Sequence, residues 1–213
     1  MTAFDRKMLI VVGPQGSGNH MWSKIFGLHP NVYGWKKLQE QYWEGHHLEP
    51  FAEAWVDPKL LKLPDDKLFF VTSCSIPYVY KGGNRVPPIL EFCQAVEAHE
   101  VSPIVAVTSR EKSIVEFQQE RVRGKITLND AYRAIEELAS EHYINFLSYE
   151  SLILWRRRYL EFLMETLKFP IDWQNSKIDE IIKENENAKY VHDIDSHWLD
   201  KEVKKACEAS VYE

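Results

Sequence analysis

Apolar residues along this chain fall into short unbroken runs separated by longer stretches in which they recur every three or four positions. The first run, Met8–Val12, is continuous and closed by a glycine, as in a strand covered on both faces. After a glycine-rich turn, Met21, Trp22, Ile25, Phe26 and Leu28 take the spacing of one helix face over 20–28, which His29-Pro30 ends. Three further runs predict buried strands: Leu68–Thr72, Ile104–Thr108 and Ile144–Ser148. Helical spacing fills 88–98, 111–122, 128–141 and 152–167. In the last of these, Leu152, Trp155, Tyr159, Phe162, Leu163 and Leu167 are assigned to one inward face, with Arg156, Arg157 and Arg158 leaning outward. Strands alternating with helices predict an α/β fold of three layers, α/β/α, around a mostly parallel central sheet. Residues 35–66 break the alternation. Their aromatic residues (Trp35, Tyr42, Trp43, Phe51, Trp55) among polar ones suggest a helical insertion or lid near the strand ends. From Asn175 the chain is polar and amphipathic, so peripheral helices are expected over 175–213. With no internal repeat, the reading is a single domain over 1–213.

Composition narrows the partners. The chain has 213 residues, 45% hydrophobic and 27% charged, which is globular composition. Twenty-six basic against 32 acidic residues leave a formal charge of −6, so there is no overall attraction for nucleic acid or an anionic membrane. Neither is expected as a partner, and an anion must meet a local site. Cys74, Cys93 and Cys207 are odd in number and form no CxxC pair, which argues against a disulfide framework or a zinc cluster. The apolar run behind the polar first residues is too short for a signal peptide or a membrane span, so the expectation is a soluble, cytoplasmic protein. His192, Asp193, Asp195 and His197 lie close enough to ligate a metal. A polar turn capped by Asp195 or Ser196 explains them as well, and no metal site is expected.

The chemistry concentrates in the first turn, Gly13-Pro14-Gln15-Gly16-Ser17-Gly18-Asn19-His20. Glycines at 13, 16 and 18 let backbone N–H groups converge on an anion at a helix N-terminus, where the helix dipole also favours negative charge. Gly13 and Gly18 have the spacing of GxxxxGK[ST], but Asn19 and His20 stand where the lysine and hydroxyl belong. ATP chemistry needs that lysine on the phosphates and that hydroxyl on magnesium, so a kinase-like phosphotransferase is the least favoured reading.

The ordered set of motifs resembles the sulfotransferases that use PAPS (3′-phosphoadenosine 5′-phosphosulfate). Gly13–His20 is similar to that family's G-x-x-[RK]-S-G-T-[ST] loop, and Leu28-His29-Pro30-Asn31-Val32 to its H-P-x-V segment. Ile104–Ser109 followed by Arg110 resembles the strand whose terminal arginine holds the nucleotide 3′-phosphate. Ile144–Ser148 followed by Tyr149-Glu150-Ser151-Leu152 resembles a strand ending in Y-E-D-L. The resemblance implies a P-loop α/β fold, PAPS as cofactor with no metal required, and sulfuryl transfer to a hydroxyl or amine on a small-molecule or glycan acceptor. It implies cofactor binding by Gln15, Gly16, Ser17, Gly18, Asn19, His20 and Arg110, with the Asn19 side chain replacing a hydroxyl. The family's serine position falls on Gln118, which leaves Ser113 as the nearest hydroxyl. Catalytic positions depart further: Gly16 stands for the loop's basic residue and Ser75 for the histidine of a T-H-x-P strand end. Lys36 and Lys37 occupy the stretch where some branches place a glutamate, and the C-terminal R-K-G motif is absent. The remaining candidates are His20 as a hydrogen-bond donor and Glu40 as a base, with Glu44 just after it. His46 and His47 lie within the insertion, where adjacent residues point to different sides and so do not act jointly. Arg121, Arg123 and Lys125 fit either a contribution to anion binding or a charged helix end. A competing reading is a nucleotide- or anion-binding protein on the same fold that has lost turnover.

Overall fold

The computed structural model describes residues 5–40, 44–80, 83–183, 185–188 and 190. In chain order the elements are β1 (Arg6–Pro14), α1 (Asn19–Gly27), β2 (Val32–Tyr33), β3 (Phe69–Ile76), β4 (Tyr78–Tyr80) and β5 (Gly83–Arg85). There follow α2 (Ile89–Ala98), β6 (Val101–Ser109), α3 (Lys112–Arg123), α4 (Leu128–Glu141), β7 (Ile144–Ser148), α5 (Tyr149–Trp155), α6 (Arg157–Leu167) and α7 (Lys177–Ile181). Five strands form one sheet in the order β2-β3-β1-β6-β7. Every pairing in it is parallel. The fold is α/β, a mostly parallel sheet with helices on both faces.

β1 explains why the sheet needs two helical layers. Met8 to Val12 are fully buried, and alternate side chains enter different cores. Met8, Ile10 and Val12 pack with Phe92 and Val96 of α2 and with Ala131 and Leu138 of α4. Leu9 and Val11 pack with Trp22, Ile25 and Phe26 of α1 and with Leu160 and Leu163 of α6. Each such residue contributes about 1.5–3 kcal/mol by leaving water, and none has a solvent face to lose it on. From β1 the chain moves to β3 on one side and to β6 on the other, so the carboxyl ends of the three strands frame a crevice at the switch point.

The insertion departs from the sequence expectation. Its described residues contain no α-helix, only single 3-10 turns at Lys36–Gln39, His46–Leu48 and Pro58–Leu60. Pro50, Pro58 and Pro64 remove backbone donors along the segment, which breaks longer helices. It is a plug as much as a cover. Phe51 and Trp55 are buried, and the Trp55 ring stacks on Phe92 at 4.1 Å while its Nε1 donates to Thr72 Oγ1 at 2.9 Å.

The long helix expected over 152–167 is two helices, split at Arg156 with φ 50 and ψ −126. The break shifts the helical phase. Tyr159, Leu160, Leu163 and Leu167 are buried, while Trp155 and Phe162, assigned inward from the pattern, are 59% and 57% exposed. Arg157 is held rather than free, donating to Trp173 O at 3.0 Å and to Asp179 at 2.6 Å. β2 and the β4–β5 hairpin are additions to the sequence reading; β2 is two residues long and β5 is wholly exposed. Of the expected C-terminal helices, α7 is described, while His192–His197 and Cys207 lie outside the described residues, as do Tyr42 and Trp43. Among the described residues no helix is long and apolar enough to cross a membrane. Among them, too, no three metal-ligating side chains converge.

Candidate functional site

The first turn owes its shape to three glycines. A Cβ on Gly13 would stand 2.0 Å from Thr108 Oγ1, so only glycine lets β1 and β6 close together there. Gly16 (φ 89) and Gly18 (φ 102) adopt left-handed backbone that side chains resist. The polar side chains of the turn face inward. Ser17 Oγ lies within hydrogen-bond distance of both Pro14 O (2.6 Å) and Thr108 Oγ1 (2.5 Å). Asn19 Nδ2 donates to Gly13 O (3.3 Å) and Ser75 Oγ (3.1 Å), and its Oδ1 accepts from Thr108 Oγ1 (3.0 Å). The expectation that the Asn19 side chain faces the anion is therefore not met; it ties β1, β3 and β6 together. What the turn offers an anion is backbone. α1 begins with no side-chain cap and no acidic residue in its first turn, leaving its first amides without intrahelical acceptors.

A cavity of about 1020 Å³ opens over this turn. Gln15, Gly16, Gly18, Asn19 and His20 line it, as do Arg110 and Glu40. Ser17 lies beneath the surface and Ser113 is not part of the lining. The residue beside Arg110 is Gln118, the position eight further on, whose Oε1 accepts from Arg110 Nη1 at 3.2 Å. Gln15 is buried and anchored by distant chain: its carbonyl accepts from Gln119 Nε2 at 2.7 Å.

Arg110 marks one end of the cavity. Its Nη1 donates to Gly16 O (2.9 Å) and its Nε to Asn187 Oδ1 (2.7 Å). The guanidinium carbon lies 4.6 Å from the centre of the Tyr149 ring and 5.8 Å from that of Tyr190. Asn187 is itself held by Glu150, through Nδ2 to Oε1 at 3.1 Å. All these partners are neutral. Nη2 is buried with no hydrogen-bond partner among the described residues. Burial lowers the Arg110 pKa from its ordinary value, against the pull of Tyr149, Tyr190, Glu150 and Glu186, and an arginine there stays charged. A largely buried cation hydrogen-bonded only to neutral groups, with one donor unused among the described residues, suits a phosphate oxygen.

The other end is built from the insertion. His20 Nε2 meets the Glu44 carbonyl at 2.9 Å, and its ring lies 5.2 Å from Trp35 and 4.6 Å from His46. Trp35 Nε1 donates to the buried Glu44 carboxylate. His46 Nε2 lies 3.4 Å from Ser75 Oγ. Burial lowers the pKa of both imidazoles, that of His46 to about 3, with His20 and Arg123 adding to the effect. Glu40 is exposed at the cavity rim, where it ends a 3-10 turn. Behind the site, Glu49 accepts from Thr72 Oγ1 (2.6 Å) and from Phe51 N (2.9 Å), and burial pushes its pKa up to about 8. Of the basic cluster after Arg110, Arg123 lines the cavity and Arg121 lies 5.0 Å from the Tyr190 ring centre.

The sequence thus located the turn and the arginine but passed over Asn187, the paired tyrosines and the Ser75–His46 contact. Only the last had a signal: a histidine pair in the insertion and a serine where the resemblance expects a histidine.

No protein-family model matches this chain, and no curated protein matches it. Among solved structures, mouse sulfotransferase SULT7A1 complexed with PAP is 12% identical, over 85% of this chain and 65% of that one, with a TM-score of 0.44. Retinol dehydratase in complex with androsterone and the inactive cofactor PAP is 16% identical, over 83% of this chain and 63% of that one, with a TM-score of 0.43. The chain spans less than two thirds of either structure. Likenesses this distant carry no functional argument, so function rests on the site itself.

Proposed function

We propose that the protein binds PAPS, and its desulfated product PAP, along this cavity and transfers a sulfuryl group to a hydroxyl or amine acceptor. The observation that carries the reading is Arg110: a largely buried guanidinium whose hydrogen-bond partners are neutral, with an Nη2 that has no partner among the described residues, beside the uncapped start of α1. Two anion-receiving features at one cavity suit a ligand with two separated acidic groups. When bound, PAPS supplies the sulfuryl group and the PAP leaving group. The amides of Gly16, Gly18, Asn19 and His20 receive the 5′-phosphosulfate, and Arg110 with Gln118 receives the 3′-phosphate. Ser17 and Asn19 hold the turn in shape from beneath. Backbone donors fixed before the reaction stabilise charge that develops on the leaving phosphate, without reorganising. Glu40, on the rim, is too exposed to be the favoured base.

Calorimetric titration with PAP, and with ATP with and without magnesium, tests this reading. Magnesium-independent PAP binding is the expected result. ATP binding only with magnesium would turn the assignment to a phosphotransferase, and no binding of either would make the turn purely structural. A second reading, binding without turnover, is favoured by Gly16. It leaves the loop without the basic side chain that neutralises the leaving group, and its φ of 89 accommodates no simple replacement.

A further inference from the structure

At the insertion end of the cavity, four side chains from distant parts of the chain form one directional run of hydrogen bonds. Gly13 O can only accept, so the Asn19 group 3.3 Å from it is the amide nitrogen. That nitrogen donates its second hydrogen to Ser75 Oγ at 3.1 Å, while Asn19 Oδ1 accepts from Thr108 at 3.0 Å. Ser75 Oγ is already an acceptor and keeps its own proton to give. His46 Nε2, 3.4 Å away, is placed to receive it. The run therefore reads Thr108 to Asn19 to Ser75 to His46, and it puts the His46 proton on Nδ1 with the Nε2 lone pair towards Ser75. His20 takes the opposite tautomer, because its Nε2 faces the Glu44 carbonyl, which only accepts. In this direction the two touching imidazoles are not equivalent: Nε2 is the free lone pair in His46 and already protonated in His20, and the His46 Nδ1 that carries the proton is buried with no hydrogen-bond partner among the described residues.

We propose that Ser75 and His46 form the proton-accepting pair for the acceptor, with the Ser75 hydroxyl meeting the acceptor and His46 drawing the proton through it. The assignment rests on the sulfuryl-transfer reading. Both residues line the cavity, and Ser75 adjoins Asn19 of the anion-binding turn. In the step, the acceptor oxygen or nitrogen forms its bond to sulfur as the bond from sulfur to the bridging phosphate oxygen breaks. PAP departs with that electron pair. The acceptor's proton passes to Ser75 Oγ as the Ser75 proton passes to His46 Nε2, and the imidazolium then releases it to solvent. The 3.4 Å separation is long for a hydrogen bond, as such contacts often are before substrate closes the site.

The charged and titratable groups around His46 are His20 on α1, Arg123 on α3, Cys74 on β3, Tyr78 and Tyr80 on β4, and Glu44 and His47 on its own segment. Burial, with the nearby His20 and the Arg123 cation adding to it, lowers the pKa of the ring to about 3 and keeps it neutral in the free protein. An anionic ligand opposite raises its basicity.

The probe is PAPS with water as acceptor, read as PAP release, beside PAP binding measured by calorimetry. His46→Gln and Ser75→Ala are each expected to slow PAP release about 100-fold, with PAP affinity within threefold of the parent. The wild-type rate should hold level from pH 8 down past 6.5, the ordinary histidine value, and fall only below it. His46→Gln should lack that acid limb, and added imidazole should restore part of the rate to His46→Ala. A purely structural pair would give neither effect. Unchanged PAP release in both variants overturns the proposal, and so does a wild type that binds PAP but never releases sulfate. A wild type that fails to bind PAP sinks the sulfuryl-transfer reading itself. Nitrogen NMR gives a check that needs no turnover: a proton found on His46 Nε2 rather than Nδ1 overturns the assigned direction.

Discussion

The two ends of the cavity solve opposite problems. At the Arg110 end a full charge is hydrogen-bonded only to neutral groups and keeps a donor unused among the described residues. At the insertion end the groups are neutral imidazoles, a hydroxyl and an amide whose hydrogen bonds run in series. On the proposed function, one end receives a charge and the other moves a proton. The difference is electrostatic before it is chemical. A phosphate oxygen recovers the desolvation energy of a buried guanidinium, whereas a proton acceptor must stay uncharged until it acts.

The contrast breaks most directly at Arg110. Arg110→Met is expected to weaken PAP binding about 100-fold, near 3 kcal/mol, because it removes the charge-assisted contacts of a partly buried cation. Calorimetry checks the affinity and a melting curve confirms the fold. A loss below fivefold would mean that the phosphate sits elsewhere.

Glu49, beneath the insertion, gives the next effect. Its folded pKa of about 8 lies above its unfolded value, so the native state holds a proton that the unfolded chain has released. Stability from this group is present below pH 4.5 and falls as pH rises towards 8, at up to about 1.4 kcal/mol per unit. Denaturant unfolding at pH 5, 6.5 and 8 should show the decline, and Glu49→Gln should flatten it. An equal slope in the variant would place the decline on other groups.

Gly16→Lys tests whether the turn accepts the side chain its resemblance lacks. With φ at 89 and a Cβ 2.9 Å from Gln118 Oε1, the change should cost about 1–2 kcal/mol and displace Gln118 from Arg110. A lower melting temperature with weaker PAP binding is expected; faster PAPS turnover would show instead that the loop adapts. The smallest effect belongs to Asn187→Ala. Losing one hydrogen bond that orients Arg110 should weaken PAP binding by about three- to fivefold, or roughly 1 kcal/mol. No change would mean that Gly16, Gln118 and the two tyrosine rings hold the guanidinium without Asn187.

How much of this was legible in the chain depends on range. β7 and α4 fall on the residues their patterns predict; β1 and β6 extend theirs by a few residues, and β1 is legible because a strand buried on both faces writes itself as an unbroken apolar run. The helix break at Arg156 left no mark, since no glycine or proline announces it and the apolar spacing carries on through. The turn and Arg110 were legible for the same local reason, as each follows directly from the end of a strand. Asn187 and the Ser75–His46 contact were not. They join residues 77 and 29 positions apart through packing that no local pattern encodes.

That same range governs when the anion-binding turn comes into being. Residues 13–20 are translated well before their anchors: Gln119 holds the Gln15 carbonyl, and Gln119 in turn accepts from the backbone of Thr127. Gly16 is held from Arg110, 94 positions later. A nascent chain therefore carries these residues for more than a hundred additions before they can take their working shape. On the proposed reading the seat for the ligand is complete only once α3 lies across the turn, the start of α4 closes behind it and Asn187 reaches Arg110. A fragment ending before residue 127 would keep the strand and its glycines yet have no seat for the ligand.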